Sequence, residues 1–220
     1  MKIRPTQGVS YPRSGHAAVF HIAKDYFGDA FIYCDTDEKE FCGCGSVPCV
    51  NPDRTFAKNH DFGLRRFSGV RIIPSEHYFI QYRSPVRSIV SNFYLHREGY
   101  LQRDSRRGWE KFARKELKFW NRFIDKWVLN FPSSANAPLY CSYESLLADP
   151  LARVREFIAF LSDGPVDDET IVRLLKRIPI AARDNLAEFE FFDPTFFREL
   201  EDATGERLLR LNLPSFTQAG

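Results

Sequence analysis

The stretch Gly8-Val9-Ser10-Tyr11-Pro12-Arg13-Ser14-Gly15-His16-Ala17-Ala18-Val19-Phe20 limits what this chain can fold into more than any other. It reads as a buried strand, a tight loop and the start of an amphipathic helix. Val9 and Tyr11 carry β-propensity, and Pro12 halts the strand. Ser14 and Gly15 make the turn; Val19, Phe20 and Ile22, spaced between Ala17 and Ala23, give the helix an apolar face. A helix starting there leaves the N–H groups of residues 14 to 17 without intrahelical acceptors, which suits an anion, and Arg13 adds a cation at the mouth. The spacing is not that of a triphosphate-binding loop, which has four residues between its glycines and then Lys-Ser/Thr. Here six residues separate Gly8 from Gly15, and His16 follows. On this stretch alone, an ordinary strand–turn–helix without a ligand is the alternative.

The rest of the chain repeats the alternation. Ala30 to Asp35, Thr55 to Phe62, His77 to Pro85 and Ala137 to Leu146 read as strands, the third marked by alternating Tyr78, Ile80 and Tyr82. Helices are expected from Pro85 to about Glu98, from about Gly108 to Asn130, and after Asp149-Pro150 up to Gly164. Shorter ones follow at about 167–176, 194–203 and 205–211. Trp109, Phe112, Phe119, Trp120, Phe123 and Trp127 recur at helical steps and read as a core stripe rather than a binding box. The Arg- and Lys-rich run 103–118 is a solvated face or, alternatively, a surface for an anionic acceptor. Strands alternating with helices, without repeats or a linker, predict one α/β domain over 1–220, with a mostly parallel central sheet flanked by helices.

A net charge of +2 gives no indication of nucleic-acid binding. No apolar run approaches the roughly 20 residues of a membrane span. The N-terminal residues 1–8 lack an apolar signal core, so a cytoplasmic location is expected. The 21 phenylalanines favour a well-buried core with an aromatic-lined cleft.

Tyr11-Pro12-Arg13-Ser14-Gly15 resembles the 5′-phosphosulfate loop of the sulfotransferases, typically Tyr-Pro-Lys/Arg-Ser-Gly-Thr, and departs from it at His16. Three further resemblances follow in the family's order. Arg83 at a strand end, with Ser91 eight residues on, resembles the 3′-phosphate motif. A guanidinium fork and a hydroxyl suit a phosphate, and a carboxylate partner for Arg83 is the plain alternative. Phe56-Ala57-Lys58-Asn59-His60 resembles the Lys-Thr-His element, which implies His60 as the base and Lys58 as a cation for a sulfonate oxygen. Tyr143-Glu144-Ser145-Leu146 resembles the element bordering the adenine, with Tyr143 as the contact. The Arg-Lys-Gly motif is absent as such, with Arg183 as its stand-in, and Ala18 replaces the usual adenine-stacking aromatic.

The resemblance implies a P-loop-like sulfotransferase fold and transfer of a sulfuryl group from 3′-phosphoadenosine 5′-phosphosulfate, without a metal. His60, Lys58 and Arg13 are the expected catalytic residues. Arg13, Ser14, Gly15, His16, Ala17, Arg83, Ser91, Tyr143 and Arg183 are the expected nucleotide contacts. The acceptor is expected to be a glycan, lipid or small metabolite in a pocket built by 36–56, 62–76 and 95–108, and adenosine 3′,5′-bisphosphate is the product. The His16 side chain donates to the phosphosulfate, acts as a second acid, or fills space. A small-molecule kinase and an inactive nucleotide-binding scaffold remain rival readings. Cys34, Cys42, Cys44 and Cys49 fit no standard zinc spacing, so free thiols, zinc and a disulfide all stay open.

Overall fold

A computed structural model describes residues 2–36, 42, 44, 46–97, 105–178, 180 and 186–217. Its strands β1 (Thr6–Ser10), β2 (Tyr33–Asp35), β3 (Phe56–Asn59), β4 (His77–Tyr82) and β5 (Leu139–Ser142) form a sheet in the order β2-β3-β1-β4-β5. Every neighbouring pair is parallel. A parallel sheet must be covered on both faces, because its crossover helices pack there. β1 is accordingly buried at all of its positions.

The helices are α1 (His16–Phe27), α2 (Pro85–Arg97), α3 (Arg106–Ile124), α4 (Tyr143–Ala148), α5 (Pro150–Leu161), α6 (Asp168–Arg177), α7 (Pro194–Asp202) and α8 (Arg207–Arg210). Phe56 and Phe79 face α1, α5 and α6, packing with Val19, Phe157 and Ile171. Val9, Tyr78 and Ile80 face the opposite way, against Phe119, Trp120, Phe123 and Trp127 of α3 and the π-helical turn that continues it (Asp125–Leu129). The aromatic stripe is therefore core. Two cations of the basic run on α3 are met by acids, Arg106 by Glu110 and Asp193, and Arg114 by Glu199.

Several boundaries differ from expectation; β2 begins only at Tyr33, after a 3-10 turn over Gly28–Ala30, and β4 ends at Tyr82. β3 stops at Asn59, because Asp61 takes a left-handed conformation (φ 49°) and opens a short 3-10 turn, Phe62–Arg66. β5 stops at Ser142, whose hydroxyl accepts the Ser145 N–H at 3.0 Å and caps α4. The long third helix ends as an α-helix at Ile124 and widens into its π turn, where the Asn130 N–H reaches back to Asp125 O at 2.9 Å. Gly8 also has a structural duty: a Cβ there would come within 2.2 Å of the Phe56 ring.

From β1 the chain runs through α1 to the edge strand β2, returns to β3 beside β1, and then crosses to β4 on the other side, so the strand order reverses next to the carboxyl end of β1. Open α/β sheets bind ligands at that crevice. No helix among the described residues is long and apolar enough to cross a membrane.

Candidate functional site

The loop after β1 is held from both sides. Tyr11 is fully buried; its N–H donates to Gln81 O at 2.9 Å and its hydroxyl to Glu116 O at 3.3 Å. Arg13 has φ 67° and Gly15 has φ 85°, both left-handed. Gly15 is needed twice over, because a Cβ there would also lie 2.6 Å from the Tyr143 ring. α1 then begins with no capping side chain and no acidic residue in its first turn. The Ser14 hydroxyl is buried without a hydrogen-bond partner among the described residues. Uncapped amides beside an orphaned buried hydroxyl form a cradle suited to an anion.

The residues expected to grip a second phosphate meet this loop. Arg13 Nε donates to Ser91 Oγ at 3.0 Å, and Arg83 Nη1 to Arg13 O at 3.4 Å. The Arg83 guanidinium lies 4.3 Å from the centre of the Tyr143 ring. Arg13, Arg83, Ser91 and Tyr143, separated by up to 130 positions in sequence, thus share one site. Residues that sequence reasoning missed hold it in place. Trp120 Nε1 donates to Arg83 O at 2.8 Å, and Glu144 Oε1 accepts the Ser84 N–H at 2.9 Å. The only sequence signal for Trp120 was its place in an apolar stripe, which says nothing of its N–H.

On the other side of β1, His60 follows the end of β3. Its Nδ1 lies 2.7 Å from Ser10 O and 3.2 Å from Ser10 Oγ. A carbonyl can only accept, so Nδ1 carries the proton and Nε2 is the basic nitrogen. Burial first, and the Lys58 charge second, hold the His60 pKa well below its ordinary value. Lys58 Nζ donates to Asp35 Oδ2 at 3.0 Å in a buried ion pair. Asp61, next to His60, is turned away: its carboxylate accepts from Val70 N at 2.6 Å, Lys126 Nζ at 2.6 Å and Trp127 Nε1 at 2.8 Å.

The His16 side chain points toward the sheet rather than the cradle. Nδ1 lies 3.1 Å from Gln81 Oε1, and Nε2 3.0 Å from the Tyr33 hydroxyl, which donates to Asp35 Oδ2 at 3.3 Å. Burial, then Lys58, push its pKa down to about 4. Its side chain is engaged there, whereas Ala17 is exposed beside the loop and Ala18 is half-buried. Arg183 lies outside the described residues, as do 37–41, 43, 45 and 98–104 of the expected acceptor walls.

Every described site residue thus lies on, or just beyond, the carboxyl end of a strand or in the helix that follows it. A loop suited to an anion thus stands at the end of the central parallel strand, beside two guanidinium groups and a histidine. No family model and no curated protein matches the sequence. Solved structures do. Mouse sulfotransferase SULT7A1 complexed with PAP matches with a TM-score of 0.64 at 15% identity, over 93% of this chain and 84% of that one. A retinol dehydratase in complex with retinol and PAP gives 0.55 at 17%, over 94% and 82%. A putative steroid sulphotransferase of Arabidopsis thaliana gives 0.57 at 12%, over 96% and 78%. The chain has the sulfotransferase fold.

Proposed function

We propose that this protein transfers a sulfuryl group from 3′-phosphoadenosine 5′-phosphosulfate to a hydroxyl or amine of a carbohydrate, lipid or small metabolite. The observation that carries this reading is the convergence of Arg13, Arg83, Ser91 and Tyr143 on the loop after β1. The amides of Ser14, Gly15, His16 and Ala17, with the Ser14 hydroxyl, would hold the 5′ end. Arg83 and Ser91 would hold the 3′-phosphate, Tyr143 would border the adenine, and Arg183 would add a second grip. The donor, when bound, supplies the sulfuryl group and a leaving phosphate.

The chain's own residues do the rest. His60 Nε2 takes the acceptor's proton; the Ser10 carbonyl fixes the required tautomer, and the depressed pKa keeps the ring neutral. Lys58 uses one of its three N–H donors on Asp35, which leaves donors for a sulfonate oxygen while offsetting its charge. Arg13 bonds a hydroxyl, not a carboxylate, so the larger share of the growing negative charge falls to it. These protein cations and dipoles would meet the charge on the transferring group without a metal.

Calorimetry with adenosine 3′,5′-bisphosphate and AMP tests the reading. The bisphosphate is expected to bind at least about tenfold tighter, since a charge-assisted phosphate contact contributes about 1.5–3 kcal/mol. The preference should vanish in Arg83→Ala. Equal affinities, or tighter binding of Mg-ATP, overturn it. A labelled sulfate donor offered to a panel of acceptors then identifies the product.

A further inference from the structure

The sheet face that carries aromatics under β1 and β4 is covered differently under β2 and β3. There the packed side chains are Cys34, Cys49 and Ala57, with Cys42 and Cys44 against them. No aliphatic or aromatic residue larger than alanine belongs to this cluster among the described residues. The four Sγ atoms all lie within 4.8 Å of one another. Cys42–Cys49 is 3.5 Å, Cys44–Cys49 3.6 Å and Cys34–Cys44 3.7 Å. A disulfide needs roughly 2.0 Å. The edge of a sulfur tetrahedron around zinc, with Zn–S near 2.3 Å, is about 3.8 Å.

We propose that Cys34, Cys42, Cys44 and Cys49 bind one zinc ion as a tetrahedral tetrathiolate. Four sulfurs this close have room for a single ion among them, not for a cluster with separate irons, and a soft tetrahedral sulfur set selects zinc. The surroundings suit the added charge. Asn51 N–H donates to Cys49 Sγ at 3.4 Å, and the buried Arg54 fixes the Cys49 carbonyl through Nε at 3.3 Å. Such outer bonds orient thiolate ligands. Binding releases the protons the thiols still carry to solvent and closes the segment between Cys34 and Cys49. Cys34 is in register with Ala57, and its neighbour Asp35 with Lys58. The ion therefore staples β2 to the segment that leads into β3, the strand carrying Lys58. The site is separate from the transfer chemistry and stands whether or not that chemistry is correct.

The test is a cobalt titration of the metal-stripped full chain, together with native mass spectrometry of protein purified without chelator. One equivalent of Co²⁺ should bind, with strong thiolate-to-metal charge transfer and the intense visible bands of a tetrahedral site, and Zn²⁺ should displace it. Purified protein should carry one zinc. Cys44→Ser should weaken binding by more than about a hundredfold, while Cys141→Ser, in β5, should leave it unchanged. Sub-stoichiometric binding, a weak octahedral-type spectrum or a disulfide among the four overturns the proposal. The wild-type titration decides this even if the Cys44 variant fails to fold.

Discussion

The two halves of the sheet on either side of β1 are built from unlike materials. On the β4 side, Tyr78 and Ile80 bury against Trp120, Phe123 and Trp127, and Arg83 is placed by an indole N–H bonding its carbonyl. On the β3 side, Lys58 and His60 are placed by polar bonds, to Asp35 and Ser10, and the opposite face of β2 and β3 packs on thiols. Large aromatic burial is non-directional and tolerant, whereas a buried ion pair or tautomer-fixing bond fails when one partner goes. The half that would grip the nucleotide is thus held by packing. The half that would do the proton chemistry is held by a few specific bonds.

The largest expected effect sits in that second half. His60→Ala should lower turnover by about 10²–10⁴-fold, with bisphosphate affinity within a few fold. Steady-state rates and calorimetry measure both, and near-native turnover would remove His60 from the mechanism. The companion is pH. Because the His60 pKa is depressed, the neutral base persists below pH 6.5, and the acid limb of kcat/KM should fall on the acid side of that value. Stability should follow His16, another half-buried histidine. His16 has a folded pKa of about 4 against an ordinary 6.5, so the unfolded chain takes up its proton first. Its contribution is intact above about 6.5 and is lost as pH falls toward and through about 4, by up to about 1.4 kcal/mol per pH unit. Urea melts across pH 4 to 7 in wild type and His16→Gln read this directly; equal slopes would assign the acid loss elsewhere.

Next comes the ion pair. Asp35→Ala leaves Lys58 charged in a site where its side chain is only 8% exposed, and should cost about 3–5 kcal/mol. Adding Lys58→Met should recover most of that loss, because the isolated charge, not the missing bond, is the cost. A double variant no more stable than Asp35→Ala would mean that the carboxylate matters through Tyr33 instead.

Much of this was legible in the chain because its signals are local. The strand–loop–helix after β1, the Arg83–Ser91 spacing and the aromatic period of α3 each fit within a few turns of sequence, and the parallel sheet follows from the alternation of strands and helices. What could not be read is long-range. Nothing in the run from Cys34 to Cys49 says that four thiols converge, since they do so only once β2 pairs with β3. Nothing near Lys58 names Asp35, 23 positions away, or near Arg83 names Trp120, 37 away. Strand ends were missed where a side chain redirected the backbone, as Asp61 and the Ser142 hydroxyl do.

The smallest effect separates binding from stability on the nucleotide side. Arg13 holds φ 67°, a conformation that costs a non-glycine residue about 1–2 kcal/mol, while its side chain is exposed. It also stands before the N-terminus of α1, where a positive charge opposes the helix dipole. Stability alone would select glycine here, so an arginine makes sense if an anion normally occupies the loop. Arg13→Gly should therefore raise the apo protein's stability by about 1 kcal/mol, less any rise in unfolded-state entropy. Arg13→Ala, which keeps a Cβ at the same φ, should gain only the smaller electrostatic part. Both variants should lose most of the stabilisation that adenosine 3′,5′-bisphosphate gives the wild type. Thermal melts of the three proteins, with and without ligand, make the comparison. If Arg13→Gly is less stable and its ligand shift survives, the Arg13–Ser91 contact is architectural and the cradle does not depend on this cation.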